Sequence, residues 1–216
     1  MAAQRTSKHP LVAAAAGVVL LASSVGLAGC SAQSPSGVAA TTPSTSTASA
    51  APAPRSTEVS PAGDIPDNQA YVAFTSADRA FSVSVPEGWA ETATGSTTIF
   101  TDKLNMISLI PTAVASAPTV DSARQADVSA LNVSEQKFAL TNITPFTRPG
   151  GSGVEITYSA DSPVNQVTGS VVRNQVERYL FWRGGKQVAV VLTSPQGSDN
   201  VDPWAKVTGS FAWSAK

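Results

Sequence analysis

The sequence contains one histidine and one cysteine, and both lie near its N-terminus. His9 belongs to a basic segment with Arg5 and Lys8, and Cys30 follows an uncharged run that begins at Leu11. Removal of that segment would leave no imidazole, and acylation of Cys30 would leave no free thiol. Ser-His-Asp and Cys-His catalysis, and histidine or cysteine metal sites, would then be excluded. The sequence therefore predicts no metal and no cofactor.

The first 29 residues have the composition of an export signal. A basic segment precedes the uncharged stretch 11–29, which ends in the small residues Ala28 and Gly29. The tetrapeptide Leu27-Ala28-Gly29-Cys30 resembles the bacterial lipobox, in which the cysteine sulfur is diacylated before cleavage. This resemblance implies that residues 1–29 are removed and that lipidated Cys30 holds the protein at the extracytoplasmic face of the cell membrane.

An uncleaved membrane anchor is the alternative for this segment. Its uncharged run of 19 residues is just long enough to cross roughly 30 Å of hydrocarbon. The many Ala, Ser and Gly residues make it weakly hydrophobic, which favours cleavage. Two or three acyl chains on Cys30 would give lasting attachment, because each buried CH₂ contributes about 0.8 kcal/mol and a single chain binds only marginally.

Composition divides the remaining chain into two parts. Residues 30–66 are rich in Ser, Thr, Ala and Pro and contain no aromatic residue, which predicts a flexible tether. Residues 67–216 contain the dense apolar patterns and predict one globular domain.

Loss of Arg5 and Lys8 leaves 12 basic residues against 15 acidic ones, a net charge of −3. Nothing in this balance indicates nucleic-acid binding.

Period-two alternation predicts strands along most of the domain. The first two, 71–75 and 81–85, form a hairpin whose second strand stops at Pro86. Further strands are predicted at 97–101, 105–110, 138–146, 154–158, 167–182 and 188–193. Tight turns between them favour antiparallel pairing. The apolar run 188–192 does not alternate, which predicts a central strand covered on both faces.

Two helices are predicted to flank the strands. The first covers 118–131 with Thr119 as its N-cap. Its predicted inner face consists of Ala123, Ala126, Val128 and Leu131. The second covers 201–211, with Trp204 and Val207 facing the sheet. The expected fold class is α+β, an antiparallel sheet flanked by few helices.

Two segments resemble a known superfamily. The run Phe81-Ser82-Val83-Ser84-Val85-Pro86-Glu87-Gly88-Trp89 resembles the opening hairpin of PsbP-like domains. The ending Trp204…Val207-Thr208-Gly209-Ser210-Phe211 resembles their C-terminal helix and closing Ser-Phe. The resemblance implies an α/β/α sandwich in the globular domain. Small actinobacterial envelope lipoproteins have a similar layout, and members are mostly binding or accessory proteins, which points away from catalysis.

The candidate contacts for a ligand or partner are Trp89, Trp182 and Arg183. Arg173, Arg178, Arg183 and Lys186 alternate with aromatic residues around the long strand, a pattern that would suit acidic lipids or glycans. Within it, Trp182 and Arg183 stand beside the Gly184-Gly185 turn, and Trp89 follows a strand-ending turn. The competing interpretation is that alternate residues divide between a core face and a solvated face. Trp89 would then be a plug in the core.

These features predict a non-catalytic, membrane-anchored envelope lipoprotein. It would bind a hydrophobic or glycolipid ligand, or a membrane-protein partner of the envelope. One alternative is an envelope hydrolase that uses carboxylates or a Ser/Lys pair. Its candidate acids, Asp102, Asp121, Glu155, Asp161 and Glu177, are scattered singly along the sequence. The other alternative is a purely structural accessory subunit.

Overall fold

Strands dominate residues 62–215, the part of the chain that the computed structural model describes. These residues belong to one unit of the chain, Pro54–Lys216. The predicted export signal, Cys30 and most of the predicted tether lie outside the described residues. Among the helices of residues 62–215, none has the length and apolar character needed to cross a membrane.

The chain forms ten strands and three helices in these residues. The strands are β1 Tyr71–Thr75, β2 Phe81–Pro86, β3 Ala90–Thr94, β4 Thr97–Asp102, β5 Asn105–Ala113, β6 Gln136–Arg148, β7 Gly151–Asp161, β8 Arg173–Arg183, β9 Lys186–Pro195 and β10 Ala212–Trp213. The helices are α1 Val120–Ala123, α2 Ser129–Ser134 and α3 Val201–Ser210. A π-helical turn, Arg124–Val128, joins α1 to α2, and we call the whole segment the 120–134 helix.

All strand pairs are antiparallel and form two sheets. The small sheet has the order β1-β2-β10, and the large sheet has the order β3-β4-β5-β9-β8-β7-β6. The predicted fold class, antiparallel strands flanked by few helices, is confirmed. The first hairpin is also confirmed, because β1 pairs with β2 and Tyr71 stands opposite Pro86.

Strand β9 is the middle strand of the large sheet and is buried along nearly its whole length. Its side chains enter two separate cores in alternation. Val188, Val190 and Leu192 belong to one core, whereas Ala189 and Val191 belong to the other. The prediction of a central strand covered on both faces is therefore confirmed.

The first core lies between the large sheet on one side and the small sheet together with helix α3 on the other. At its centre, the ring of Phe211 stacks on Phe181 at 4.1 Å and on Phe81 at 5.6 Å between centroids. Trp204 and Val207 of α3 are buried in this core, as predicted. The second core lies on the opposite face of the large sheet, under the 120–134 helix.

The 120–134 helix starts as predicted but turns differently. Thr119 caps it by accepting a hydrogen bond from the Ser122 backbone N–H, and Ala123 and Leu131 are buried. Ala126, predicted on the inner face, is exposed. The π-helical turn explains this error, because its wider turn rotates the residues within it away from the 3.6-residue period.

Two strand predictions were wrong for identifiable reasons. Strand β3 was not predicted because all five of its side chains are exposed and show no alternation. The strand predicted from residue 167 begins only at Arg173. Asn165 accepts hydrogen bonds from the backbone N–H groups of Val167 and Thr168, which fixes a turn where a strand was expected.

Packing extends into residues that were predicted to belong to the tether. Ile65 is buried in the first core, and Gly63 packs against Pro195 at the end of β9. The side chain of Asn200, which is 1% exposed, accepts a hydrogen bond from the Ile65 N–H and donates one to the Gly63 carbonyl, each at 2.8 Å. The folded domain thus starts before the predicted boundary at residue 67.

We predict that Asn200→Ala destabilises the domain by about 3 kcal/mol, because it leaves two buried backbone groups without partners. The measurement is the free energy of unfolding in urea. Asn132→Ala is the control, since Asn132 is exposed on α2. Equal stabilities for the two variants would contradict the assignment of Asn200 as the residue that holds the N-terminal segment.

Candidate functional site

The 120–134 helix covers only part of its face of the large sheet. It packs on strands β6 and β7 at one edge. Seven strands are roughly 29 Å wide at their usual spacing, whereas a helix with its side chains is about 10–12 Å wide. The helix therefore covers the part of the face formed by β5, β9 and β8 incompletely, and it reaches β8 through Asp127, which lies 3.5 Å from Arg178.

The strand register defines the residues on this open face. Ser108, Val191 and Arg178 stand side by side on β5, β9 and β8. The next row consists of Met106, Thr193, Val176 and Tyr158. On the other side of Arg178, the neighbouring row consists of Ile110, Ala189, Leu180 and Val154. The face is thus mainly apolar, and Arg178 is the one charged residue in these three rows.

Three cavities lie along this face, and together we call them the sheet groove. The first, of about 520 Å³, lies between the segment 112–118 and the 120–134 helix. The second, of about 200 Å³, is lined by Tyr158 and Val191, and Arg178 lines both. The third, of about 660 Å³, shares Met106 and Thr193 with the second and extends under the segment 162–172. Sites for small ligands commonly have about 300–1,000 Å³.

Arg178 is incompletely paired in the middle of the groove. Its side chain is 17% exposed, and its only carboxylate partner in residues 62–215 is Asp127, at 3.5 Å. Strong charged hydrogen bonds are shorter, at about 2.7–2.9 Å. The buried Nε atom has no hydrogen-bond partner among the described residues. The guanidinium thus retains donors for an additional acceptor.

The acid that faces Arg178 lies in an unusual stretch of backbone. Asp127 belongs to the π-helical turn Arg124–Val128, and it lines the first cavity together with Ala126 and Ala130. π-Helical turns are rare and occur frequently at functional sites. Here the turn directs a carboxylate and the small side chain of Ala126 toward the groove.

Tyr158 adds a hydrogen-bonding group to the second cavity. Its ring packs against Phe138 at 5.2 Å. Burial raises the pKa of Tyr158 to about 12, with Glu135 raising it further and Arg178 lowering it. The hydroxyl therefore stays protonated at physiological pH and can donate a hydrogen bond. Together with Arg178, it provides the groove with two donors beside apolar side chains.

The three sequence-predicted contact residues lie in different places. Trp182 is on the groove face at the end of β8, where its Nε1 donates to the Val114 carbonyl at 2.8 Å and holds the wall of the first cavity. Arg183 is exposed at the hairpin between β8 and β9, over the Trp213 ring. Trp89 packs edge-on against Trp204 at 6.3 Å beside the first core.

Arg178 was not among the three predicted contact residues. A signal was nevertheless present, because Arg178 alternates with Val176 and Leu180 at a position where β8 points toward a core. A charged residue at an inward-facing position of a strand normally needs a buried partner. That partner, Asp127, lies in the π-helical turn, which helical periodicity does not predict.

Two acidic residues described as scattered along the sequence are close in the structure. Glu155 and Glu177 lie on neighbouring strands, and Tyr179 donates a hydrogen bond to Glu177 at 2.9 Å. Burial raises the pKa of Glu177, the Tyr179 hydrogen bond lowers it, and the charge of Glu155 raises it. Neither glutamate lines any of the three cavities of the sheet groove.

A Ser-x-x-Lys spacing, which a Ser/Lys nucleophile pair can use, occurs at Ser134 and Lys137. The structure places the Lys137 ammonium 2.7 Å from Asp161. Arg173 contacts the same carboxylate at 3.2 Å. The Lys137 ammonium is thus engaged with a carboxylate. Among residues 62–215, no group of three His, Cys, Asp or Glu side chains converges as metal ligands would.

Comparisons with known proteins give only distant similarities. The sequence matches no protein-family model. It also matches no curated protein. Among solved structures, the chain is similar to cyanobacterial PsbP (CyanoP) from Synechocystis, with 14% identity, coverage of 73% of this chain and 96% of that one, and a TM-score of 0.48.

Two further solved structures are similar at a lower TM-score of 0.41 each. One is a protein of Bacteroides thetaiotaomicron, with 15% identity over 67% of this chain, which spans about half (48%) of that protein. The other is the Ran-binding protein Mog1p of Saccharomyces cerevisiae, with 10% identity and coverage of 67% and 95%. Similarities of this size establish neither family nor function. Membership of the PsbP-like superfamily and of the actinobacterial lipoprotein type therefore stays a prediction.

Proposed function

We propose that this protein is a non-catalytic envelope lipoprotein that binds an amphipathic ligand in the sheet groove. Cys30 would anchor it to the extracytoplasmic face of the membrane, as the lipobox-like tetrapeptide and the preceding export signal indicate. The groove would accept a lipid or glycolipid with one acidic group. A membrane protein of the envelope is the competing occupant.

The incompletely paired Arg178 is the observation that carries this proposal. Keeping a guanidinium largely out of water costs free energy unless its donors are used. Asp127 at 3.5 Å and an unpartnered Nε leave part of that cost uncompensated. A ligand carboxylate or phosphate at this position would accept those hydrogen bonds, and arginine suits such acceptors because its planar fork binds two oxygens at once.

The apolar rows on either side of Arg178 suit the remainder of the ligand. Val176 and Met106 lie toward the third cavity, and Ile110 lies on the opposite side of Arg178. The mouth of the third cavity adds Leu104 and Val164, which are 43% and 51% exposed. Exposed apolar side chains at a cavity mouth are typical of binding sites for apolar groups.

The composition of the chain supports a non-catalytic role. His9 is the only histidine and Cys30 the only cysteine, and the first would be lost with the export signal. Hydrogen-bond donors and apolar side chains make up most of the groove floor. Such a floor suits binding and orientation, because it presents neither a histidine base nor a thiol nucleophile to a bound molecule.

The anchoring part of the proposal predicts that Cys30→Ala abolishes acylation and cleavage. The variant should keep the export signal, so its mass should rise by that of residues 1–29 and fall by that of the acyl groups. Mass spectrometry of the protein from membrane fractions measures both. Ser31→Ala is the control, because it leaves the cysteine in place. An unchanged mass in Cys30→Ala would overturn the anchor.

For the groove, we predict that Arg178→Gln weakens binding of a dansyl-labelled undecanoic acid about tenfold or more. The reason is the loss of a charged hydrogen bond to the probe's carboxylate. Fluorescence titration of the dansyl group measures the dissociation constant. Arg124→Gln is the matched control, because Arg124 is exposed on the 120–134 helix. Equal affinities of the two variants would contradict the role of Arg178.

A steric variant tests the same groove without removing charge. Ala130 is exposed and lines the first cavity, so Ala130→Trp should fill part of its volume and weaken probe binding. Val133→Trp on the same helix is the control, because Val133 is 88% exposed and lines none of the three cavities. If Ala130→Trp folds normally and binds the probe as tightly as Val133→Trp does, a protein partner becomes the preferred occupant of the groove.

A second candidate function, a carboxylate hydrolase, is favoured by the Glu155–Glu177–Tyr179 cluster. The raised pKa of Glu177 resembles that of a general acid. We expect the raised pKa to reflect burial and the nearby charge of Glu155 without any catalytic role. The pH dependence of stability and an activity assay distinguish the two roles.

We predict that Glu177→Gln stabilises the fold at pH 7. A carboxyl group whose folded pKa is raised penalises the folded state above that pKa, and the penalty disappears below the unfolded pKa. The stabilisation should therefore vanish as the pH falls to about 4. The melting temperature across this range measures it, with exposed Glu91→Gln as control. If the native protein hydrolyses cell-wall glycan and Glu177→Gln abolishes that activity, the hydrolase function would be established instead.

A further inference from the structure

A separate cavity of about 250 Å³ lies at the far end of strands β8 and β9. Three elements form it: the turn between β1 and β2, the hairpin between β8 and β9, and the segment that follows β10. We call it the cationic cleft. Its lining includes Arg79, Ala80, Arg183, Lys186, Trp213 and Ser214. None of these residues lines the sheet groove.

The backbone around the cationic cleft is fixed by short-range contacts. Gly184 and Gly185 both have positive φ, at 56° and 86°, and close the β8–β9 hairpin with the two-residue turn that favours glycine. Ser76 accepts hydrogen bonds from the N–H groups of Ala80 and Phe81 and closes the β1–β2 turn. The Ser214 N–H donates to the Ala80 carbonyl at 3.0 Å. The cleft is therefore built before any ligand arrives.

The positive charges in the cleft are only partly balanced. Lys186 pairs with Asp78 at 2.5 Å, and Ser76 also donates to that carboxylate. Arg183 has no carboxylate partner in residues 62–215, and its guanidinium donates to the Ser214 carbonyl at 2.6 Å and lies 5.2 Å from the centre of the Trp213 ring. Arg79 likewise has no carboxylate partner within that range. Two guanidinium groups therefore remain available to an anion.

Arg79 is held toward the cleft at a conformational cost. It has a φ of 54°, in the left-handed region that residues other than glycine, asparagine and aspartate rarely adopt. Its N–H donates to the Ser76 carbonyl at 2.7 Å, which maintains this turn. The turn and the β8–β9 hairpin together place two arginines on the lining of one cavity, and arginine pairs bind phosphate oxygens with several charged hydrogen bonds.

The cleft lies far from the point where the described chain enters the domain. The chain enters the domain at Gly63, which packs against Pro195 at the end of β9. Lys186 of the cleft stands at the other end of the same strand. A strand of ten residues is roughly 30 Å long at the usual rise. The cleft is thus at the opposite end of the large sheet from the chain segment that leads back to Cys30.

We propose that the cationic cleft is a second binding site, which takes a phosphate group of a soluble or polymeric envelope component. The choice of an envelope component rests on the proposed anchoring at Cys30, whereas the choice of anion rests on the cleft itself. Phosphate oxygens would bind Arg79 and Arg183, and the Trp213 ring and Ala80 would contact the adjoining carbon atoms. Asp78 keeps Lys186 in place beside them.

The experiment uses the whole mature chain with Cys30→Ser, so that it stays soluble and contains every residue of the domain. Calorimetric titrations with inorganic phosphate and with glycerophosphoglycerol at low salt should show binding that weakens as salt is added. The double variant Arg79→Gln, Arg183→Gln should lose at least about tenfold in affinity for both, because two charged hydrogen-bond donors are removed. NMR chemical shifts of the Gly184 and Gly185 amides should move only in the native protein.

The controls separate this site from the sheet groove and from the membrane. Arg124→Gln should bind both phosphate probes normally, and the double variant should still bind the dansyl-labelled undecanoic acid. The proposal is overturned if neither phosphate probe binds, or if the double variant binds them as well as the native protein. It is also overturned if the protein binds phosphatidylglycerol vesicles through these arginines but not glycerophosphoglycerol, since that result would assign the cleft to a membrane surface.

Discussion

Burial of strand β9 on both faces is the constraint on which the remainder of the structure depends. Its odd- and even-numbered side chains enter different cores, so each face of the large sheet needs its own cover. The small sheet and helix α3 cover one face with a closely packed aromatic cluster around Phe211. The 120–134 helix covers the other face mainly over β6 and β7. The two faces therefore differ in how completely they are covered.

The incomplete cover explains why a charged residue occurs where a core residue would be expected. On β8, Val176 and Leu180 are buried in the second core, while Arg178 between them lies in the groove. The wall of the groove depends on more distant contacts, such as the hydrogen bond from Trp182 to Val114. The site is thus a product of incomplete coverage, and its shape is set by the π-helical turn and the segments at either end.

Sequence patterns predicted the strands that bury at least one side and failed where both sides are exposed. Strand β2 alternates between buried and half-buried residues and was predicted well. Strand β3 is exposed on both sides, so it gave no pattern. Sequence patterns also did not show that Trp89, Trp182 and Arg183 lie in three separate places, because strand register and turn geometry determine those positions. The π-helical turn, and with it the pairing of Asp127 with Arg178, lies outside any fixed helical period.

The attachment of the chain at Gly63 and Ile65 has a mechanical consequence. If the domain is suspended from a membrane by its N-terminal side, any pull on it is transmitted first to the hydrogen bonds that Asn200 makes with this segment. Asn200 immediately precedes α3, which is buried against β2. Force would thus be passed directly into the first core. The aromatic cluster around Phe211 would bear the load, while the sheet groove on the opposite face would keep its shape.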